Sequence, residues 1–330
     1  MRISVWIFIA TTLGMGVADG NASDCPTFGS GIVTGEISHT VIDEASGLAS
    51  SRENPGMLWV HNDSGNAPIL YALDAEGFLV RTYAPTGVAN VDWEALGIGP
   101  GPDPEKNYLY LGDIGDNTVS RLSITVYRIP EPTVSDGGST LSIPGVVALN
   151  MQYPDGAHDA EALFVDPQTS DIYIVTKSFA NGISGIYRYP APHDSSSTVT
   201  LEKVGNITLP GDAIERAVTG ADISPNGKEI IIRSYTRGYH WTRPDGGTVQ
   251  SAFSQDRCEI PIAPEPQGEA ITFTSDGMNY FTVSEMTNQP IFLYLRSPQV
   301  PALSSVGLFS LSGALIVVIM RIRRLPSYPS

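Results

Sequence analysis

Cysteine is nearly absent from this chain of 330 residues, which has only Cys25 and Cys258. There is no Cys-x-x-Cys pair, so neither a zinc ribbon nor a thioredoxin-type redox motif can be built. Basic residues are also scarce: 19 Lys and Arg stand against 35 Asp and Glu, a formal net charge of −16. A body of that sign repels nucleic acid and anionic lipid, and no nucleic-acid partner is expected. Gly-x-Ser-x-Gly, Gly-x-x-x-x-Gly-Lys and His-Glu-x-x-His are all missing. Their absence removes the usual signatures of serine hydrolases, P-loop enzymes and zinc peptidases.

Apolar runs mark the two ends. Arg2, the stretch Ile3–Leu13 and the small residues after it read as a secretory signal over 1–22, cut after Ala18 or Ala22. The run is short for a spanning helix, although an uncleaved anchor is the alternative. At the other end Leu303–Met320 carries no charge, and Arg321, Arg323 and Arg324 follow at once. That length is enough for a transmembrane helix, with the basic cluster on the cytoplasmic side and the body outside. The segment Val300-Pro301-Ala302-Leu303-Ser304, with the helix and cluster behind it, resembles the IPTL-CTERM class of bacterial sorting signals, relatives of PEP-CTERM. It departs from that class at its first and third positions and lacks the Glu-Trp after the serine. The resemblance implies a tail over 300–330 that anchors the protein until a membrane sorting protease removes it. It also implies a destination in the cell envelope or at the cell surface.

Between the ends lie about 275 residues, rich in Gly, Pro, Thr, Val, Ile and Tyr, a composition that suits an all-β body with many turns. A strand opening recurs five times: Glu44-Ala45-Ser46-Gly47-Leu48, Asp92-Trp93-Glu94-Ala95-Leu96, Asp159-Ala160-Glu161-Ala162-Leu163, Ala217-Val218-Thr219-Gly220-Ala221 and Gln267-Gly268-Glu269-Ala270-Ile271. The third positions are spaced by 48, 67, 58 and 50 residues. A period near 50 in a β sequence points to propeller blades. Each opening leads through a turn to a second strand and then to an aromatic-bearing third. The expectation is a five-bladed β-propeller over 25–298, its last blade completed by the N-terminal stretch Gly31–Ile37. Six blades is the alternative, with the extra one in the long 94–161 interval. Two cysteines alone leave free thiols and a disulfide equally open, but ring closure brings Cys25 and Cys258 to adjacent outer strands and favours a bridge between them.

Antiparallel strands within a blade put the start of strand one and the end of strand two at the same end. One face of the ring therefore gathers His61, Asn62, Asp63, Asp113, Asp116, Asn117, Lys177, Arg233, Tyr235 and Glu285, with Asp92 and Asp159 beside them. Ser46, Glu94, Glu161, Thr219 and Glu269 form a column nearest the axis. Three converging glutamates need a counter-charge or retained protons. Ca²⁺ is the expected cofactor for an extracellular carboxylate set, with Glu94, Glu161 and Glu269 as its ligands. Lys177, Arg216, Arg233 and Arg237 are the rival counter-charges. Asp92, Asp159 and His61 are the candidate catalytic groups, and Trp93, Tyr235 and Tyr239 are candidate apolar contacts.

Asp92-Trp93-Glu94-Ala95-Leu96, the run Tyr108–Asn117 and Glu265-Pro266-Gln267-Gly268-Glu269-Ala270 resemble signatures of a group of exported bacterial propellers, more distantly similar to phytase-like and lactonase-like propellers. The resemblance runs from about Cys25 to Arg296 and carries no catalytic residues across. Two functions follow as expectations. One is a membrane-anchored or surface-sorted module that binds a small molecule, glycan or protein at an acidic, calcium-bearing face. The other is a metal-dependent hydrolase of phosphoesters or lactones.

Overall fold

The computed structural model describes residues 25–135, 137 and 139–298. The expected signal at 1–22 and the tail with its apolar span at 303–320 lie outside the described residues. Among the described residues no helix is long and apolar enough to cross a membrane.

Strand β1 (Ile32–Ile37) comes first and waits for its partner at the far end of the chain. Blade one follows as β2 (Ala45–Ser50), β3 (Met57–Asn62), β4 (Leu70–Asp74) and β5 (Leu79–Pro85). Blade two is β6 (Trp93–Pro100), β7 (Asn107–Asp113), β8 (Ile124–Pro130) and, after β9 (Leu141–Ile143), β10 (Val147–Gln152). Blade three is β11 (Ala160–Val165), β12 (Ile172–Thr176), β13 (Ile183–Tyr189) and, after β14 (Val199–Thr200), β15 (Glu202–Thr208). Helix α1 (Ala213–Arg216) leads into blade four: β16 (Val218–Ile223), β17 (Glu229–Ser234), β18 (Gly238–Thr242) and, past α2 (Val249–Phe253), β19 (Cys258–Ile260). Blade five is β20 (Gly268–Phe273), β21 (Tyr280–Ser284) and β22 (Gln289–Tyr294), and β1 pairs antiparallel with β22 to complete it.

The five innermost strands touch in the cyclic order β2, β6, β11, β16, β20 and back to β2, so the ring is closed. Five hydrophobic clusters fill the spaces between adjacent blades. Leu163, Tyr110 and Leu149 pack between blades two and three, for example, and Trp59, Leu96 and Leu111 between one and two. A blade thus buries both faces, which is why β2, β11, β16 and β20 are buried at every residue. Closure is tied covalently. Cys25 and Cys258 form a disulfide across 233 residues of sequence, with their Cα atoms 5.6 Å apart.

Among the described residues there are five blades and no sixth. The long interval between positions 94 and 161 is taken up by an excursion: β9 leaves blade two to pair in parallel with β5 on the edge of blade one. Later β14 makes the corresponding return from blade three, pairing in parallel with β10. These short strands cover the outer edges of two blades and limit unpaired backbone there.

Candidate functional site

The column expected at the axis is built by one device repeated in every blade. Each innermost strand slips register against its neighbour once, between Ala45 and Gly47, Trp93 and Ala95, Ala160 and Ala162, Val218 and Gly220, and Gly268 and Ala270. The residue left over at each bulge is Ser46, Glu94, Glu161, Thr219 or Glu269. A regular strand would send alternate side chains only to the two interblade spaces. A bulge breaks that alternation and re-aims one side chain, here toward the axis.

All five side chains are buried, none more than 4% exposed. Ser46, Glu94, Glu161 and Thr219, with backbone of the neighbouring residues, line an axial cavity of about 10 Å³, room for one water-sized particle. The two hydroxyls stitch adjacent blades: Ser46 Oγ donates to Glu94 O at 2.9 Å, and Thr219 Oγ1 donates to Gly268 O at 2.9 Å. Ser46 Oγ also lies 3.3 Å from Glu94 Oε2. The second oxygens of Glu161 and Glu269 are buried with no hydrogen-bond partner.

Burial and mutual repulsion shape the electrostatics. Desolvation pushes the Glu94 carboxyl well above its ordinary value, and Glu161, Asp63, Asp92 and Glu269 push the same way. Glu269 is raised by burial and by Glu161, against the pull of Lys177. Glu161 is raised by burial, again against Lys177. Among the described residues Lys177 is the one cation that reaches these carboxyls in an ion pair: its ammonium bonds Glu161 Oε1 and, at 2.8 Å, the Tyr235 hydroxyl. Burial alone would lower Lys177, but Glu161 and Tyr235 outweigh it and hold the ammonium above its usual value. The rings of Phe179 and Tyr235 flank it, 5.1 and 5.0 Å from Nζ.

Above the column the mouth opens. Asp63, Asp92 and Glu94 bring one carboxylate oxygen each within 4.8 Å of one another. Burial, then neighbouring carboxylates, raise both Asp63 and Asp92 above the ordinary value. Asp159 accepts the Asp116 backbone N–H at 2.8 Å. Glu285 stands across the mouth, bonded by Gln267 Nε2 and pushed by burial to about 7. The loop after β7 closes over the acids because residue 115 is glycine. A Cβ there would lie 2.5 Å from Glu94 Oε1 and 2.6 Å from Asp92 Oδ2.

Several candidates have other duties. His61 is fully buried, edge-on to the Trp93 ring at 5.6 Å, and burial lowers it to about 4. It packs between blades and does not face the mouth. Asn62 holds Val41 O at 2.8 Å. Asp113 accepts the N–H groups of Val91 and Asp92 and pairs with Arg121 at 2.8 Å. Asp116 caps its own loop, accepting Ser120 N and Arg121 N at 2.6 Å. Asn117 is exposed at the loop tip. Arg233 is fully buried and paired with Glu265 at 2.6 Å, so it serves the seam between blades four and five. Arg216 bonds the carbonyls of Phe179 and Ala180, and Arg237 bonds Glu215 and Glu259. Trp93 and Tyr239 lie in interblade clusters, so of the three expected aromatics Tyr235 is at the mouth, with Phe179 beside it. Ser64, Gln267 and Glu265 support the acids and Arg233: the Ser64 N–H donates to Asp63, Gln267 Nε2 bonds Glu285, and Glu265 pairs with Arg233, duties that their places in the recurring motifs do not reveal.

No family model matches the chain, and no curated protein matches it. Among solved structures, the β-propeller domain of Cps50 (Swd1) from Myceliophteria thermophila is similar at 11% identity and a TM-score of 0.41, over 79% of this chain and 99% of that one.

Proposed function

We propose that this chain is an exported propeller whose axial column holds one Ca²⁺ ion, and that the acidic mouth above it takes a ligand. The observation that carries this reading is the pair of buried, unpartnered carboxylate oxygens on Glu161 and Glu269, each facing the other's charge, with Glu161 lining a cavity for one small particle. Buried polar atoms in native proteins have partners, and a missing one calls for an ion or water. The donor set fits a hard cation: Glu94, Glu161 and Glu269 offer carboxylates, and Ser46 and Thr219 offer hydroxyl oxygens. No soft ligand is among them. Bound there, the ion would supply a fixed positive charge facing whatever enters the mouth.

The residues of the mouth then divide the work. Lys177 balances part of the axial charge and keeps Glu161 oriented. Tyr235 and Phe179 give an apolar wall. Asp63, Asp92, Asp159 and Glu285 supply acceptors for a polar small molecule, a glycan or a protein segment. The Cys25–Cys258 disulfide supports an oxidising, extracytoplasmic compartment. Anchoring through 303–320, release by a sorting protease and an envelope destination complete the proposal.

A metal-dependent hydrolase of phosphoesters or lactones is the second reading. It is favoured by the half-buried carboxyl of Glu285, poised at about 7, and by Asp92, raised beside the column, since a general base works best near the operating pH. The test is to assay full-length protein, calcium-loaded and chelator-treated, against panels of phosphoesters and lactones. Calcium-dependent turnover, lost in Asp92→Asn, makes it a hydrolase. Calcium uptake without turnover makes it a binding module. No calcium uptake removes both readings.

A further inference from the structure

The face of the ring opposite the acidic mouth carries a second pocket. Gly101 and Pro102 follow the end of β6, Ser170 precedes β12, and Ala191–His193 follow β13. Antiparallel alternation places all of them at the end of blades two and three away from the mouth. With Arg128 near the end of β8 they line a cavity of about 400 Å³, within the size range of small-molecule sites.

Its walls are mostly apolar, from Pro102, Ala191, Pro192 and the ring of His193, which lies edge-on to Tyr110 and Tyr189 at 6.4 and 4.9 Å. Arg128 brings the charge. Its guanidinium lies 5.9 Å over the Tyr108 ring. Arg121, Arg188, Arg233, Arg237, Arg243 and Arg296 all form ion pairs. Among the described residues Arg128 forms none, as is also true of Arg52, Arg216 and Arg257, and of these four it is the one that lines this pocket. The nearby Asp171 is already engaged, by the Ala191 N–H at 2.9 Å and by Arg188 at 3.4 Å. Burial, then Arg128, lowers His193 to about 4, so its imidazole is neutral and leaves Arg128 as the pocket's cation.

We propose that this pocket binds a small organic carboxylate with a flat apolar body: the carboxylate pairs with Arg128, and the body lies against Pro102, Pro192 and His193. A guanidinium can take a planar carboxylate in two parallel hydrogen bonds, which an apolar wall beside it complements. The site shares no residue with the axial column and stands whether or not calcium binds there.

The probe is benzoate, titrated into the full-length protein and followed by ligand-observed NMR, with benzamide as its neutral isostere and inorganic phosphate as an anion without an apolar body. Benzoate is expected to bind at least ten-fold tighter than either. Arg128→Gln should weaken benzoate at least ten-fold. Ser170→Asp sets a carboxylate in the wall, keeps Arg128 in place and should do the same. It also serves if the Arg128 variant fails to fold. Chelator treatment of the wild-type protein should leave benzoate binding unchanged. Equal binding of benzamide, equal binding of phosphate, or benzoate binding that survives Ser170→Asp would overturn the proposal.

Discussion

The Lys177 ammonium is bonded to the Glu161 carboxylate at the inner end of the mouth, with the two side chains 6% and 5% exposed. Among the described residues one cation is therefore ion-paired on an axis that carries three buried carboxyls. Without a metal ion, the remaining two, Glu94 and Glu269, are the groups that hold protons, because burial and repulsion raise both.

Replacing Lys177 by Met removes the balancing charge without removing its bulk. Breaking a buried ion pair costs about 3–5 kcal/mol. Chelator-treated Lys177→Met should lose about that much in urea unfolding, and added Ca²⁺ should return most of it. An unchanged urea midpoint would mean that the pair is not buried as described.

The metal-free protein should lose stability as pH rises from about 6.5 to 8. An acid raised in the folded chain keeps its proton after the unfolded chain has lost it, so raising pH favours unfolding. Glu285, at about 7, titrates inside this window, and Glu94, Glu161 and Glu269 are shifted the same way. His61 and His193, both lowered to about 4, act with the opposite sign, mostly below pH 6.5 as the unfolded histidines lose their protons. Thermal melts in chelator across the window should fall, and fall more steeply than melts in excess Ca²⁺. A rise in chelator contradicts the shifts.

Gly220 follows the bulge of blade four. A Cβ there would lie 2.6 Å from the Glu269 carbonyl of blade five. Because that atom is backbone, the seam between the two inner strands must open. Gly220→Ala should cost about 1–3 kcal/mol and displace Glu269 from the axis, weakening Ca²⁺ binding in the same variant. Loss of stability with intact binding would separate the bulge from the site.

The disulfide closes the ring between the first described residue and the last strand of blade four. Cys25→Ser with Cys258→Ser should lower stability by about 2–5 kcal/mol, read from denaturant melts. β1 should still pair with β22, because Ile37 is buried between blades five and one. A fully unfolded double variant would show that the bridge, rather than the strand, closes the propeller.

The blade plan was legible because each blade repeats one pattern, an apolar opening, a turn and an aromatic third strand, at intervals of 48 to 67 residues. Those openings picked out Ser46, Glu94, Glu161, Thr219 and Glu269, and ring closure put Cys25 beside Cys258. The bulges that aim the column were not legible, since a bulge is a two-against-one count between strands and leaves no mark in either alone. The same holds for β9 and β14, whose parallel pairing crosses between blades. Asp113, Asp116 and Arg233 read as site residues because acid and base at strand ends look alike whether they face a ligand or a partner. Their partners, Arg121, the 120–121 backbone and Glu265, are fixed by loop conformation and neighbouring-blade contacts. His61 also sits at a strand end, but its ring turns into the seam against Trp93.

The most direct measurement is calorimetric titration of Ca²⁺ into chelator-treated full-length protein at pH 7, in two buffers of different ionisation enthalpy. The account predicts saturation at one ion per chain, protons released on binding, and loss of both in Glu94→Gln with Glu269→Gln. Absence of saturable binding, or binding that persists without proton release in the double variant, would contradict it.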